Sequence, residues 1–291
     1  MKKIITKNIF ALILVGLFAI PSVSSASNLS SVTESLNAST NQLIEAKDGS
    51  AANVLSEEED INYRKKVVSD AIALSFKEIE STRKKLSSIE LDDESDSNKI
   101  RLLIIEWLDA QEKYFHEAED KLSAKNLSLD DVKNIAREIK TYRDENYNND
   151  LISALNFILA LETSRLTNVS ADRWNKISSD LAKIEGAGLI KKDQFLSEMT
   201  EAKKMIDGSR SLSDKALIII KDLYLPPIEE DSEEDLTQEE TEKIDEAPIE
   251  AEKEKTPSAR ELCEAAIINL KSAYGEFVKI SASLKKLLKL P

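Results

Sequence analysis

No proline lies between residues 22 and 225, and that span holds only four glycines. Proline removes a backbone hydrogen bond and costs about 3 kcal/mol in a helix interior, so its absence over such a length is what long helices require. Proteins built from strands use far more glycine, proline and Asn-Gly pairs at their turns. The sequence therefore predicts an all-α protein.

Apolar residues recur at alternating steps of three and four along this span, which indicates amphipathic helices. After a weak first run at residues 29–46, five stronger runs follow, with charged residues on their other faces. Narrow apolar stripes of this kind pack against one another as in coiled coils, and short connections make neighbouring helices antiparallel. We therefore expect an elongated bundle of long amphipathic antiparallel helices over residues 27–225.

Three of these runs matter most for the structure. Their predicted core stripes are Ile100, Leu103, Ile104, Trp107, Tyr114, Ala118 and Leu122 in the third run; Val132, Ile135, Ile139, Tyr142, Leu155, Ile158, Leu159 and Leu166 in the fourth; and Phe195, Met199, Ala202, Ile206, Ser209, Ser213, Ala216, Ile220 and Leu223 in the sixth. The sixth stripe keeps its spacing through Gly208, which predicts one uninterrupted helix there.

Side chains that cap backbone groups mark the predicted helix starts. Ser56 with Glu59 has the spacing of a capping box, and Ser128, with Asp131 behind it, is the next predicted cap. Ser170 predicts the start of a fifth helix, and the glycines of "EGAGL" at 185–189 predict its end.

The fourth run crosses the polar stretch "RDENYNND" without meeting a helix breaker. A single helix over residues 128–167 is one interpretation, and a kink near Asn148 is the other. The sequence leaves both open.

The first 26 residues have the layout of a secretory signal peptide. Three lysines precede an uncharged apolar stretch of twelve residues, and Ser24 and Ala26 fit a cleavage site. Twelve apolar residues fall short of the roughly 20 needed to cross a bilayer. We expect cleavage after Ala26, and hence an extracytoplasmic protein that is secreted or held in the cell envelope.

Residues 226–257 hold fourteen acidic residues, three lysines and no aromatic residue. Acidic side chains repel one another, and the few apolar residues cannot form a core. We therefore expect an acidic disordered linker.

The segment 258–291 that follows has a capping box, Ser258 with Glu261, and an apolar stripe from Leu262 to Leu287. A lone amphipathic helix would leave this stripe in water, so we expect it to return and dock on the bundle. Docking on a membrane surface and pairing with a second chain through Cys263 are the alternatives.

Residue types that commonly act in catalysis or bind metal ions are scarce. His116 is the only histidine and Cys263 the only cysteine, which nearly excludes nucleophile–base pairs and histidine metal motifs. We interpret His116 as a surface residue and Cys263 as a small buried residue. The acidic stretch from Asp92 has part of the ligand spacing of a calcium-binding loop. However, Ser97 stands where such a loop needs glycine, and Leu103 stands where it needs its final glutamate. We therefore predict no catalytic residue, no cofactor and no metal site.

The net charge of −14 disfavours nucleic acids and anionic membranes as main partners, because phosphate groups need clustered Lys and Arg. We also expect no transmembrane segment after signal cleavage. Two hypotheses about function remain. The first is an exported, non-enzymatic protein that acts as a structural or protein-interaction module, as a monomer or weak homo-oligomer with an unknown protein partner. The alternative is an extracytoplasmic chaperone or carrier that binds an apolar ligand or client in a helical groove.

Overall fold

The computed structural model describes residues 33–43, 56–226 and 256–288. These residues form helices and no strand, and several long helices pack antiparallel, so the predicted all-α fold is confirmed. The helices are α1 (Glu57–Ser87), α2 (Asp96–Leu122), α3 (Leu129–Tyr142), a π-helical segment (Arg143–Tyr147), α4 (Asn148–Gly186), α5 (Leu196–Tyr224) and α6 (Ala259–Leu287). Residues 33–43 are also helical. The expected signal peptide, 1–26, and residues 227–255 of the expected linker lie outside the described residues.

One continuous helical run forms the spine of the described structure. The helix α3, the π-helical segment and α4 follow one another without a gap and contain 14, 5 and 39 residues. The backbone is helical at both junctions, with φ −60° and ψ −44° at Tyr142 and φ −66° and ψ −39° at Asn148. At 1.5 Å per residue, α4 alone is ~60 Å long. The spine is therefore long enough for different helices to pack along its two halves.

The hairpin of α1 and α2 packs along the first half of the spine. The helix α2 runs antiparallel to α3, because Lys121 near the end of α2 pairs with Glu138, whereas Gln111 accepts a hydrogen bond from Tyr142 further along the spine. The core of this half contains large side chains, among them Ile72, Ile79, Leu86, Ile104, Leu108, Phe115, Tyr147 and Phe157.

The second half of the spine is covered by α5 and α6, which form an antiparallel pair with extensive contact. Ala216 near the end of α5 lies in one cluster with Ala259 at the start of α6. At the opposite end, Phe195 shares a cluster with Phe277 and Ile280. The C-terminal helix is therefore an integral part of the packed bundle.

Small residues let these helices approach closely. As the sequence predicts, α5 is continuous through Gly208, and a Cβ added there would lie 3.2 Å from the side-chain nitrogen of Asn269 on α6. Between α4 and α5 the buried hydroxyls of Thr167 and Ser209 lie 2.9 Å apart and share a hydrogen bond. Cys263 is fully buried on α6, as expected.

The two halves meet where α2 begins and α5 ends. Lys221 Nζ lies 2.6 Å from Asp96 Oδ2, and Lys99 Nζ lies 2.9 Å from Asp96 Oδ1. Hydrogen bonds from these two lysines, with Lys221 the stronger influence, lower the pKa of the Asp96 carboxyl group to about 2. An exposed pair of this kind adds little stability, but it connects the two hairpins directly.

The three predicted caps are confirmed, and each forms a capping box: Ser56 with Glu59 at α1, Ser128 with Asp131 at α3, and Ser258 with Glu261 at α6. The predicted stop after α4 is also confirmed. Gly188 has φ +67°, a left-handed conformation that glycine adopts without steric cost.

The predicted helix start at Ser170 is wrong. The helix α4 continues through this residue, whose buried hydroxyl donates to the carbonyl of Leu166. A serine inside a helix can satisfy its hydroxyl one turn back, so a capping pattern alone does not prove a helix start. The fourth and fifth apolar runs consequently belong to one continuous spine, which ends at Gly186.

The fourth run, which the sequence leaves open between a continuous helix and a kink, contains a π turn. The amide of Asn148 donates to the carbonyl of Arg143, five residues earlier. Ile139 faces the core. In a regular α-helix, residue 146, seven residues later, would face the core on the same side. Tyr147 is buried instead, and Asn146 is exposed. The spine thus has one residue more than the helical repeat requires, and the π turn absorbs it.

Two predicted core residues, Leu103 and Leu155, are exposed. In α2 the apolar residues come in adjacent pairs, and the sequence cannot tell which member faces the core. Ile104 is buried beside Leu103, and Phe115 is buried beside Tyr114. Leu155 lies about 100° around α4 from Ala154, which belongs to the stripe that follows the π turn.

Two further predicted core residues, Leu223 and Leu287, are also exposed. Each lies in the last turn of its helix. Their neighbours in the same stripes, Ile220 and Leu284, are buried. The apolar stripe therefore continues in the sequence slightly further than the packed interface does.

Deleting Glu145 is expected to preserve the fold. The deletion removes the excess residue, so a regular α-helix would turn both Ile139 and Tyr147 toward the core. We expect the midpoint of thermal unfolding, measured by far-UV circular dichroism, to stay within a few degrees of the parent or to rise. Deleting the exposed Asn175 of α4 is the control, since it would rotate Leu181 away from the core by about 100°. Equal destabilisation by both deletions would contradict this account of the π turn.

Truncating Phe277 tests how strongly α6 is held. The side chain is 3% exposed in the cluster between α5 and α6. We expect Phe277→Ala to lower the free energy of unfolding by about 3–5 kcal/mol, as for other buried phenylalanines. Val278→Ala is the control, because Val278 is 50% exposed and should change stability by less than about 0.5 kcal/mol. Similar denaturation midpoints for the two variants would mean that α6 is not docked.

Candidate functional site

A half-buried polar cluster holds the π turn against α1. The guanidinium group of Arg143 donates to Ser75 Oγ, and its Nη2 lies 3.1 Å from Glu78 Oε2. The same guanidinium lies 5.0 Å from the centre of the Tyr147 ring. The hydroxyl of Tyr147 donates to the carbonyl of Ser75 at 3.3 Å. Burial raises the pKa of Tyr147 well above its ordinary value, so this hydroxyl remains a donor.

Aromatic rings surround Tyr147 on the α2 side. Trp107 stacks on it at a centroid distance of 5.8 Å, and Phe115 meets it edge-on at 5.2 Å. Phe115 in turn contacts Phe76 of α1 and Tyr142 of the spine. These rings fix the position of the π turn from the side of the protein core. The other side of the turn faces solvent.

A surface groove of about 500 Å³ lies between α2 and the spine. Its lining residues are Tyr114, Lys121, Asn134, Arg137, Glu138, Thr141, Tyr142 and Asn146. The last two lie immediately before and within the π turn. π turns occur frequently at functional sites, which makes this groove the candidate site of the described structure.

A pair of stacked tyrosines forms the apolar part of the groove. The rings of Tyr114 and Tyr142 are 3.4 Å apart between centroids and nearly parallel. The hydroxyl of Tyr142 donates to Gln111 Oε1 at 2.7 Å. Partial burial is the main cause that raises the pKa of both tyrosines, so both are neutral donors in ordinary buffers.

Charged and amide groups form the rest of the groove. Lys121 and Glu138 face each other across it at 3.3 Å, and Arg137 donates to Asn134 Oδ1 at 2.9 Å. Asn134, Arg137 and Glu138 are exposed. The groove therefore offers an aromatic surface edged by solvated donors and acceptors.

A second cavity, of about 360 Å³, lies between α4 and α5. Trp174 forms part of its wall and is held by a hydrogen bond from Nε1 to the carbonyl of Met199 at 2.8 Å. Lys203 already lies 5.3 Å from the centre of that ring and pairs with Asp207. The exposed charges around this cavity are those of an ordinary helix surface.

Hydroxyl groups in the core serve the helices themselves. The side chains of Ser75, Thr82, Thr163, Thr167 and Ser170 each donate to the backbone carbonyl four residues earlier. None of these buried hydroxyls has a histidine or carboxylate partner that could activate it as a nucleophile. Their arrangement is that of packing residues.

The residues singled out in the sequence lie apart from the groove. His116 is exposed, packs on Phe76 and has Nδ1 3.6 Å from Glu119. Cys263 is buried, and desolvation raises the pKa of its thiol. The Asp92 carboxylate accepts from the amide of Glu94, as in a turn. Within the described ranges no three His, Cys, Asp or Glu side chains gather where they could hold a metal ion.

Sequence reasoning missed Arg143 and Tyr147. Both lie in "RDENYNND", whose composition indicates only a polar stretch without a helix breaker. The available signal was the spacing from Ile139 to Leu151, which is one residue longer than the helical repeat allows. Tyr114 and Tyr142 both lie in predicted core stripes, but their stacking had no sequence signal, because they come from different helices.

The chain matches no protein-family model, and comparisons with curated proteins and with solved structures find no significant similarity. None of the described helices is long and apolar enough to cross a membrane.

Replacing Glu78 tests the polar cluster that holds the π turn. Glu78 and Arg143 are each about one-fifth exposed, so Glu78→Gln leaves a largely buried guanidinium group without its charged partner. We expect a loss of about 1–3 kcal/mol in the free energy of unfolding. Glu80→Gln is the control, because Glu80 pairs with Lys77 on the exposed surface and should have almost no effect. A Glu78 variant as stable as the Glu80 variant would show that the cluster does not hold the spine.

Proposed function

We propose that this chain is an exported, non-enzymatic helical-bundle protein of the cell envelope or extracellular space that acts as a structural or protein-interaction module. The observation that carries the proposal is the groove beside the π turn. It presents two stacked tyrosines and an exposed arginine on a rigid support. Tyrosine and arginine are the residue types enriched, with tryptophan, at the energetic centres of protein interfaces.

The support of the groove favours binding of a macromolecule. Hydrogen bonding to Gln111 and stacking on Tyr114 fix the Tyr142 ring before any partner arrives. A partner therefore loses little affinity to ordering of side chains. The groove is open and has charged edges, which suits a protein surface better than a small enclosed ligand.

The alternative, a carrier or chaperone, requires a contiguous apolar groove that can accept a client. Both of the described cavities are bordered mainly by amide and charged side chains. These features support the interaction module over the carrier.

Site-specific photo-crosslinking tests the proposal. A benzophenone amino acid at Thr141 in the groove, and for comparison at the exposed Lys176 of α4, would be incorporated into the protein in its native host. We expect a discrete adduct with a partner protein from position 141 and none from position 176. Equal labelling at both positions, or none, would refute the groove as an interaction site.

Affinity for the crosslinked partner gives the quantitative check. Arg137→Ala should weaken binding at least about fivefold, because truncating a side chain at the centre of an interface costs more than about 1 kcal/mol of binding free energy. Arg165→Ala is the matched control, because Arg165 is an exposed arginine of α4 that pairs with Glu162.

The export part of the proposal has its own test in N-terminal sequencing of the protein outside the cytoplasm, where we expect Ser27 as the first residue.

A further inference from the structure

The cavity between α4 and α5, which we call the Trp174 cavity, has an apolar inner surface. It is lined there by Ala171 and Trp174 of α4 and by Ile206 of α5. Ile206 is buried and Trp174 is half-buried. The hydrogen bond from Trp174 Nε1 to the carbonyl of Met199, at 2.8 Å, fixes the indole ring and uses its one donor. The part of the ring that lines the cavity is therefore a fixed apolar surface.

Six polar residues line the rest of the Trp174 cavity, three from each helix at intervals of three and four residues. They are Asn168, Asp172 and Asn175 of α4, and Lys203, Asp207 and Arg210 of α5. Two of these side chains are basic and two are acidic, so their charges cancel. The two amides add both donors and acceptors. The lining therefore offers many hydrogen bonds without a net preference for anions or cations.

Several of these polar groups are available to a ligand. Asp172 and Asn175 are exposed, and their side chains have no partner among the residues that the structure describes. Arg210 donates one long hydrogen bond, of 3.4 Å, to Asn168 Oδ1, which leaves most of its five N–H donors for other acceptors. Ordering these groups around a ligand breaks no internal ion pair of the protein.

We propose that the Trp174 cavity binds a neutral saccharide. A sugar ring has an apolar face of C–H groups and a rim of hydroxyl groups, each of which donates and accepts hydrogen bonds. The apolar face matches the fixed ring of Trp174, and the hydroxyl rim matches the amides, the Asp172 carboxylate and the Arg210 guanidinium group. The volume of about 360 Å³ lies in the range of small-molecule sites, about 300–1,000 Å³.

The charge balance distinguishes a neutral sugar from other ligands. Lys203 and Arg210 would attract an anion that Asp172 and Asp207 repel, and a cation meets the reverse. A wholly apolar ligand would strip water from these polar groups and give them no partner. Each charge alone is ordinary on a helix surface, but a balanced set around a fixed indole ring suits a sugar.

This inference goes beyond the proposed interaction module and does not depend on it. The Trp174 cavity lies between α4 and α5, whereas the groove beside the π turn lies between α2 and the spine, and the two share no lining residue. Either site can therefore fail its test without affecting the other.

Tryptophan fluorescence tests the proposal, because the chain has only two tryptophans, Trp107 and Trp174. In the chain that begins at Ser27, the expected exported form, Trp107→Phe leaves Trp174 as the only reporter. The neutral probes are tetramers of N-acetylglucosamine and of glucose. We expect a saturable blue shift with at least one of them, because a sugar face on the ring excludes water. The converse variant, Trp174→Phe, retains Trp107 in the other half of the molecule and should show no shift.

Charged sugars test the balance of charges in the lining. Tetramers of glucosamine are cationic, and tetramers of galacturonic acid are anionic. Each should bind at least about fivefold more weakly than the better neutral tetramer, because each meets two like charges in the cavity. Retention on insoluble chitin or cellulose, measured alongside, shows whether the cavity also takes sugars within a polymer. Binding of the soluble tetramer alone indicates a free oligosaccharide, and either result supports the site.

Substitutions at exposed positions separate the cavity from the rest of the helix surface. Asn175→Ala and Arg210→Ala each remove hydrogen-bonding groups and should weaken sugar binding at least about fivefold. The matched controls are Asn149→Ala and Arg165→Ala, which change exposed residues of α4 outside the cavity and should bind like the parent. Circular dichroism of each variant checks that the helices are retained.

Three results would overturn the proposal. The first is an unchanged Trp174 emission with both neutral tetramers at about 10 mM, roughly ten times a dissociation constant of 1 mM. The second is tighter binding of a charged tetramer, which would indicate an ion site. The third is an equal loss of binding in the cavity variants and their matched controls.

Discussion

One long helix must present its apolar stripe to two different pairs of helices, and the rest of the structure depends on how it does so. The spine packs against α1 and α2 along its first half and against α5 and α6 along its second. Without a π turn, the one excess residue would rotate the apolar stripe of the second half by about 100°, away from α5 and α6. The π turn at Arg143–Tyr147 prevents this rotation.

The two halves achieve their packing by different chemistry. Large rings and branched side chains fill the first half around Phe115 and Tyr147. Between α4, α5 and α6 the contacts include small side chains such as Ala202, Ser209 and Ala266, which allow the helix backbones to come close. Both arrangements leave a rigid framework, and rigidity is what a surface needs if it is to bind without ordering itself first.

The sequence alone determined the all-α class, the helix caps at Ser56, Ser128 and Ser258, and the uninterrupted α5. These follow from local physics: the absence of proline, the spacing of apolar residues and the hydrogen bonds of nearby side chains. Local patterns failed at Ser170, because a serine hydroxyl can bond within a helix as well as cap one.

Only the tertiary structure decided which apolar residues are buried where two lie side by side, as with Leu103 and Ile104. It also decided that Arg143 pairs with Glu78 and that Tyr142 stacks on Tyr114. Contacts of this kind join residues that are far apart in the chain. Helical periodicity gives the direction of a side chain relative to its own helix axis, but the neighbouring helix and its register are set by packing of the whole core.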